Sequence, residues 1–168
     1  MRYTKIAFLG MFAAFAMILS FVEMQIPAFV AIPGVKLGLP NIAVVLILYK
    51  IGSKEAVTCS IVRILLSNIL FGSLVSFLYS VAGAALSLTA MIIMKKTNMF
   101  SVVTVSVVGG VSHNIAQIIV ACLITETAQL LYYLPVLIIS GLIAGIIIGM
   151  IAALSYKRLE KIDLSTVE

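Results

Sequence analysis

The 168 residues are 63% hydrophobic and 10% charged, with a mean hydropathy of +1.27, whereas soluble domains are roughly 45–50% apolar and about 25% charged. A water-soluble domain cannot hide that much apolar surface, so the solvent of this chain is lipid. The net charge of +5 does not point to nucleic acid, because Lys and Arg stand in short clusters between apolar runs, with no basic face and no interleaved aromatics.

A membrane span needs about 20 apolar residues, or somewhat fewer where it is irregular or shielded by protein. The first candidate, 4–22, has a basic start and an Ala14-Phe15-Ala16 triplet that imitates a cleavage site. Its apolar run continues to about Val22, which predicts a retained first helix. Gly10 and Ala14 share one stripe of that helix, and small residues so spaced let helix backbones approach closely. The connection that follows, "EMQIPAFVAIPGVKLGLPN" (23–41), is too long and too apolar for a tight turn. Irregular backbone at membrane depth survives only against protein or a watery cavity, so 23–37 is predicted to form a partly re-entrant or lid-like segment.

The second candidate, 38–52, is short and carries Pro40 near its start. The third, 54–72, is interrupted by Arg63, nine residues after Lys54. At about 1.5 Å per residue this Arg lies near the bilayer midplane, where it costs about 2.5–3.5 kcal/mol and requires a partner or a wet cavity. Ser60, Arg63 and Ser67 share its face, with Asn68 about 100° away. A structural ion pair with Glu23 and a ligand-facing role both satisfy Arg63, and the choice stays open at this level.

A tight Gly72-Ser73 corner leads into the fourth candidate, 74–94, whose stripe of Ser76, Ser80, Gly83 and Ser87 reads as internal packing. The fifth, 100–124, contains "GGVSHNIAQII". His113 and Gln117 are four apart, and Asn114 and Gln117 three apart, so the trio shares one side of the helix. Unpaired amides in hydrocarbon are expensive. Bonds to neighbouring helices and a polar cavity for a solute are the two principal ways to satisfy them; a proton relay lacks a chain of acids. The sixth, 131–156, has Gly141, Gly145 and Gly149 at four-residue spacing, suited to internal packing or to docking another membrane protein.

If six spans alternate, Arg2, Lys5, Lys50, Lys54, Lys95, Lys96, Lys157, Arg158 and Lys161 all fall on one side, and the other side receives only Lys36. Basic residues favour the cytoplasmic side, so both termini are expected there. The fold class is therefore an all-α integral membrane protein, one six-helix domain over 1–168. Glu23, Lys36, Asn41, Asn68, Gln117, Glu126, Tyr132 and Tyr133 then map to the outer half, and with Arg63 and His113 beneath them they outline a pocket open to the outside.

Several chemistries lack their residues. There is no Walker A sequence, the only Asp is Asp163 in the C-terminal tail, and a single His has no Ser/Asp or Cys partner within reach of the spans. Cys59 and Cys122 sit near opposite faces, too far apart for a disulfide, and no metal-ligand spacing is present. No cofactor, metal site or catalytic group is expected.

"PGVKLGLPNIAVVLILY" (33–49), "RILLSNILFGS" (63–73), "LYSVAGAALSL" (78–88) and "GGVSHNIAQIIVA" (109–121) resemble the family called heptaprenyl diphosphate synthase component I, or Gx transporter. That family is similar in turn to the substrate-binding S components of energy-coupling factor transporters, small six-helix bacterial membrane proteins. The resemblance implies a cell-membrane subunit that captures a micronutrient from outside, under the loop joining helices one and two. A transmembrane T protein and two ATPase subunits would supply the energy, with small residues of helix one docking the T protein. Gly10 and Ala14 match that feature loosely, since an Ala-Ala pair is usual and Gly10 departs from it. On this reading Arg63 supplies charge; Asn68, His113, Asn114 and Gln117 orient the solute; and Glu23, Lys36 and Asn41 complete the site. The enzyme-like family name implies instead an accessory, non-catalytic membrane subunit for isoprenoid or quinone synthesis, because prenyl elongation needs aspartates that this chain does not place in its spans.

Overall fold

A computed structural model describes residues 2–25 and 38–160. Six helices follow in order: α1 (Arg2–Gln25), α2 (Asn41–Lys50), α3 (Ser53–Phe71), α4 (Leu74–Lys96), α5 (Val102–Thr125) and α6 (Leu134–Glu160), with a 3-10 turn at Ala128–Tyr133 before the last. No strand occurs among the described residues. The apolar runs read from the sequence become these helices with boundaries shifted by a few residues, and the segment 26–37, which carries Lys36 and most of the expected lid, lies outside the described residues.

The local chemistry explains the ends. Gly72 and Ser73 leave the helical region between α3 and α4, and the Ser73 hydroxyl accepts from the Ser76 N–H at 3.2 Å, an N-cap. Ser101 caps α5 in the same way through the Thr104 N–H at 3.1 Å. α2 begins after Gly38, which holds a left-handed φ of +79° that favours glycine, and Pro40.

Four stretches are long and apolar enough to cross a membrane: Ile6–Glu23, Leu74–Lys96, Val102–Thr125 and Ala128–Leu159. α3 has 19 residues, but Lys54, Glu55 and Arg63 dilute its apolarity. α2 is shorter than the expected 38–52, and its 10 residues rise only about 15 Å, half of the roughly 30 Å hydrocarbon core. α2 is nevertheless the most enclosed helix. Every residue from Ile42 to Leu48 is buried, and it packs on α1, α3 and α6 and lightly on α5. Phe12 and Ala16 of α1, Cys59 of α3, Leu88 and Met91 of α4, Val105 of α5 and Ile148 and Ala152 of α6 complete this core.

The glycines of α6 pack internally. A methyl group on Gly145 would lie 2.5 Å from Val107 Cα, one on Gly149 2.7 Å from Val103 Cα, and one on Gly110 of α5 2.6 Å from the Gly141 carbonyl. α5 and α6 thus touch backbone to backbone, which gains dispersion contact that lipid cannot replace. Gly10 of α1 has nothing within 4 Å of its would-be Cβ, and it and Ala14 are exposed.

One end of the bundle collects the cations. Lys95 Nζ donates to the Leu48 carbonyl and lies 5.3 Å from the Tyr49 ring centre, while Lys50 Nζ donates to the Leu159 carbonyl at 2.9 Å. These bonds use the unpaired carbonyls and negative dipole ends of α2 and α6. Lys96, Lys157 and Arg158 follow at the same ends of α4 and α6.

Candidate functional site

Away from the cationic end, parts of five helices enclose a polar cavity of about 40 Å³. Ser20 and Glu23 come from α1, Gly38, Pro40 and Asn41 from the start of α2, Arg63, Ser67 and Asn68 from α3, Ser76 and Ser80 from α4, and His113 from α5.

Glu23 organises it. The first N–H groups of a helix lack intrahelical acceptors, and α2 has no side-chain cap of its own. Glu23, only 8% exposed, instead binds the turn just ahead of that helix: its Oε1 accepts from the N–H of Gly38 and from that of Leu39 at 3.2 Å. The same carboxylate attracts the guanidinium of Arg63, which borders the cavity with it. This arrangement puts both groups on one cavity and ties α1 to the residues just ahead of α2. It leaves chemistry unused: Arg63 Nε and Ser67 Oγ are buried with no hydrogen-bond partner in the protein. Asn68 donates to the Ile64 carbonyl at 2.8 Å, while its buried Oδ1 has no such partner.

The polar trio of α5 separates. His113 faces the cavity, its ring against α4: a methyl group on Gly83 would lie 2.5 Å from His113 Cε1. Asn114 turns the other way and donates to the Leu137 carbonyl of α6 at 2.8 Å, a helix-to-helix bond. Gln117 is 4% exposed, does not border the cavity, and neither of its amide atoms has a hydrogen-bond partner in the protein. Of the expected site residues, the structure thus brings together Glu23, Asn41, Arg63, Asn68 and His113. Asn114 and Gln117 lie elsewhere in the bundle, and Lys36 lies outside the described residues. Glu126, Tyr132 and Tyr133 are exposed and do not border the cavity.

Sequence reasoning misses Ser20, Ser76 and Ser80 at this cavity. Ser20 lies three residues before Glu23, so it shares that helical face. The α4 stripe divides by depth: Ser76 and Ser80 border the cavity, Gly83 makes room for His113, and Ser87 packs beside Gly109 of α5. Both cysteines are free thiols, and among the described residues no group of three or more His, Cys, Asp or Glu is placed to hold a metal.

A family model described as heptaprenyl diphosphate synthase component I matches residues 12–154. The chain belongs to that family. The match runs from the middle of α1 nearly to the end of α6 and so includes every residue around the cavity. Neither the curated proteins nor the solved structures yield a match. The cavity of this family member offers donors from Arg63 and Ser67, an acceptor from Asn68 and one carboxylate already bonded to the backbone of Gly38 and Leu39.

Proposed function

We propose that the chain is the solute-binding membrane subunit of an ATP-driven uptake system, capturing a small polar or anionic compound from outside. The observation that carries this reading is the cavity itself: a charged, hydrogen-bonding site enclosed by five helices whose long spans are otherwise apolar. Polar groups in a membrane interior are costly and mark solute or ion pathways far more often than passive structure. Arg63 and Ser67 donate to the solute, Asn68 and His113 orient it, and Glu23 sets the position of Arg63. In this reading the chain crosses the membrane with both termini cytoplasmic, the cationic end inward, α2 and α3 adding to the four long spans. A transmembrane partner docks on the exposed Gly10 and Ala14 face, and two ATPase subunits supply energy.

Mass spectrometry of small molecules co-purifying with the protein tests this, with wild type compared against Arg63→Ala. A compound retained by wild type and lost from the variant is expected. If neither carries one, and no candidate solute raises the melting temperature, solute capture is wrong. The family description favours a second reading, an accessory membrane subunit of prenyl diphosphate synthesis. That reading expects stable co-purification with a prenyl synthase and none with ATPase subunits.

A further inference from the structure

The polar cavity, at about 40 Å³, is small. A water needs roughly 10–15 Å³ on this measure, so it has room for a head group and not for a whole micronutrient; ligand sites ordinarily measure about 300–1,000 Å³. A second hollow of about 330 Å³ lies immediately beside it, between α3 and α4. Its walls include Ile61, Ile64 and Leu65 from α3 and Phe77, Val81 and Ala85 from α4, and its only polar wall residue is Ser60. Ile64 belongs to both hollows. The seam between the two helices is therefore apolar over 57–65 and 77–88, and turns polar over 63–72 and 76–80. Ile61, Leu65 and Val81 are 52%, 45% and 42% exposed, so the apolar part opens sideways onto the lipid-facing surface.

We propose that this seam binds a single-chain membrane amphiphile, its hydrocarbon chain in the α3–α4 groove and its oxygen-bearing head in the polar cavity. The proposal rests on the solute-binding reading of the same site and changes the solute from one taken up from outside to one that enters from within the bilayer. Three features select the occupant. The groove runs along about 12–16 Å of helix, so it takes most of one chain lying lengthwise and leaves the chain's end in the bilayer. The unused polar atoms next to it, Arg63 Nε and Ser67 Oγ, include a donor that can never accept, so the head must carry an acceptor oxygen. Finally, Arg63 lies ten residues into α3, about 15 Å from the cationic end, a depth that headgroups of bilayer phospholipids do not occupy. An ordinary lipid can lend a chain to the groove, but only an amphiphile that enters sideways, between α3 and α4, brings its head to Arg63.

The test uses the full chain in phosphatidylcholine nanodiscs with a trace of palmitic acid carrying a mid-chain diazirine. After photolysis, labelling of α3 and α4 peptides is compared with labelling at Ile143 and Ile147 of α6, which are equally lipid-facing (56% and 51% exposed). Enrichment of about fivefold or more in the α3–α4 seam is expected. It should fall when the exposed Ala85 is changed to Phe, which fills the groove, and under either Arg63→Gln or Ser67→Ala, which weaken the head site. A headless diazirine alkane should show no enrichment. Ser67→Ala removes one hydroxyl, so it keeps the test decisive if Arg63→Gln fails to fold. Even labelling of seam and α6 overturns the proposal, as does enrichment that persists with the alkane and in both head-site variants. If labelling is even but a water-soluble compound is retained and lost in Arg63→Ala, the amphiphile is wrong and solute capture stands. If neither binds, both are wrong.

Discussion

The α5–α6 interface and the surroundings of α3 solve the same problem differently. Both rely on small side chains, because lipid provides no hydrophobic drive between helices. In α6 the small residues are glycines, and they bring two backbones into contact at Val103, Val107 and Gly110. In the first turns of α4 they are Ser76 and Ser80, which border a polar hollow. Glycine at four-residue spacing closes a helix pair; serine at the same spacing leaves a space and makes it polar. One side of the bundle is thus closely packed, and the other holds a cavity.

The sharpest way to break this contrast is Glu23→Ala. It strips the N–H groups of Gly38 and Leu39, just ahead of α2, of their acceptor and leaves Arg63 without the nearby carboxylate that attracts it, an uncompensated charge worth about 3–5 kcal/mol. Thermal melting in detergent should fall steeply, while Glu23→Gln, which keeps an acceptor oxygen, should recover part of the loss. Melting of Glu23→Ala at the wild-type temperature would mean that the carboxylate holds nothing together.

Gly145→Leu comes next. Its side chain meets backbone at Val107, which cannot yield as a side-chain end can, and overpacking of that kind costs about 3 kcal/mol at its upper range. The same change at Gly10, with open space around it, should shift stability by no more than about 0.5 kcal/mol. Equal losses at both positions would show that α6 is not the tighter wall. In a complex with a membrane partner, however, Gly10→Leu should disrupt co-purification if that face docks.

Asn114→Ala has a smaller effect that separates the two halves. It removes one interhelical hydrogen bond, worth about 1 kcal/mol, and should lower melting slightly while leaving any co-purified solute in place. Arg63→Ala should empty the site. Solute loss in Asn114→Ala at unchanged stability would move the site toward α6.

The helices were legible because twenty-residue apolar runs and clustered cations are strong, one-dimensional signals. That Glu23 and Arg63 share one cavity was legible too, since a charge at mid-depth has few partners to choose from. The fate of the α5 trio was not. Periodicity shows that His113, Asn114 and Gln117 lie on one side of a helix, but successive residues still differ by about 100°. Which neighbour stands at each bearing depends on helix offsets. That angle sends His113 toward α4 and the cavity, and Asn114 toward α6. Ser76 and Ser80 were read as packing for the same reason: a small polar residue is identical in sequence whether a helix or a hollow faces it.

The shortness of α2 has a consequence for how this site is scaled. α2 stands at the centre of the bundle, anchored at the cationic end through Lys50, Lys95 and the Leu159 carbonyl, and it stops after 10 residues. Among the described residues α2 therefore fills only about half the height that a full crossing helix would occupy, and the cavity begins at Pro40 and Asn41. α2 acts as a floor of adjustable height. Each residue added before Asn41 would raise it by about 1.5 Å and shrink the chamber, and each one removed would deepen it. A bundle of this design can change the size of what it accommodates by editing one helix terminus, with its outer walls untouched.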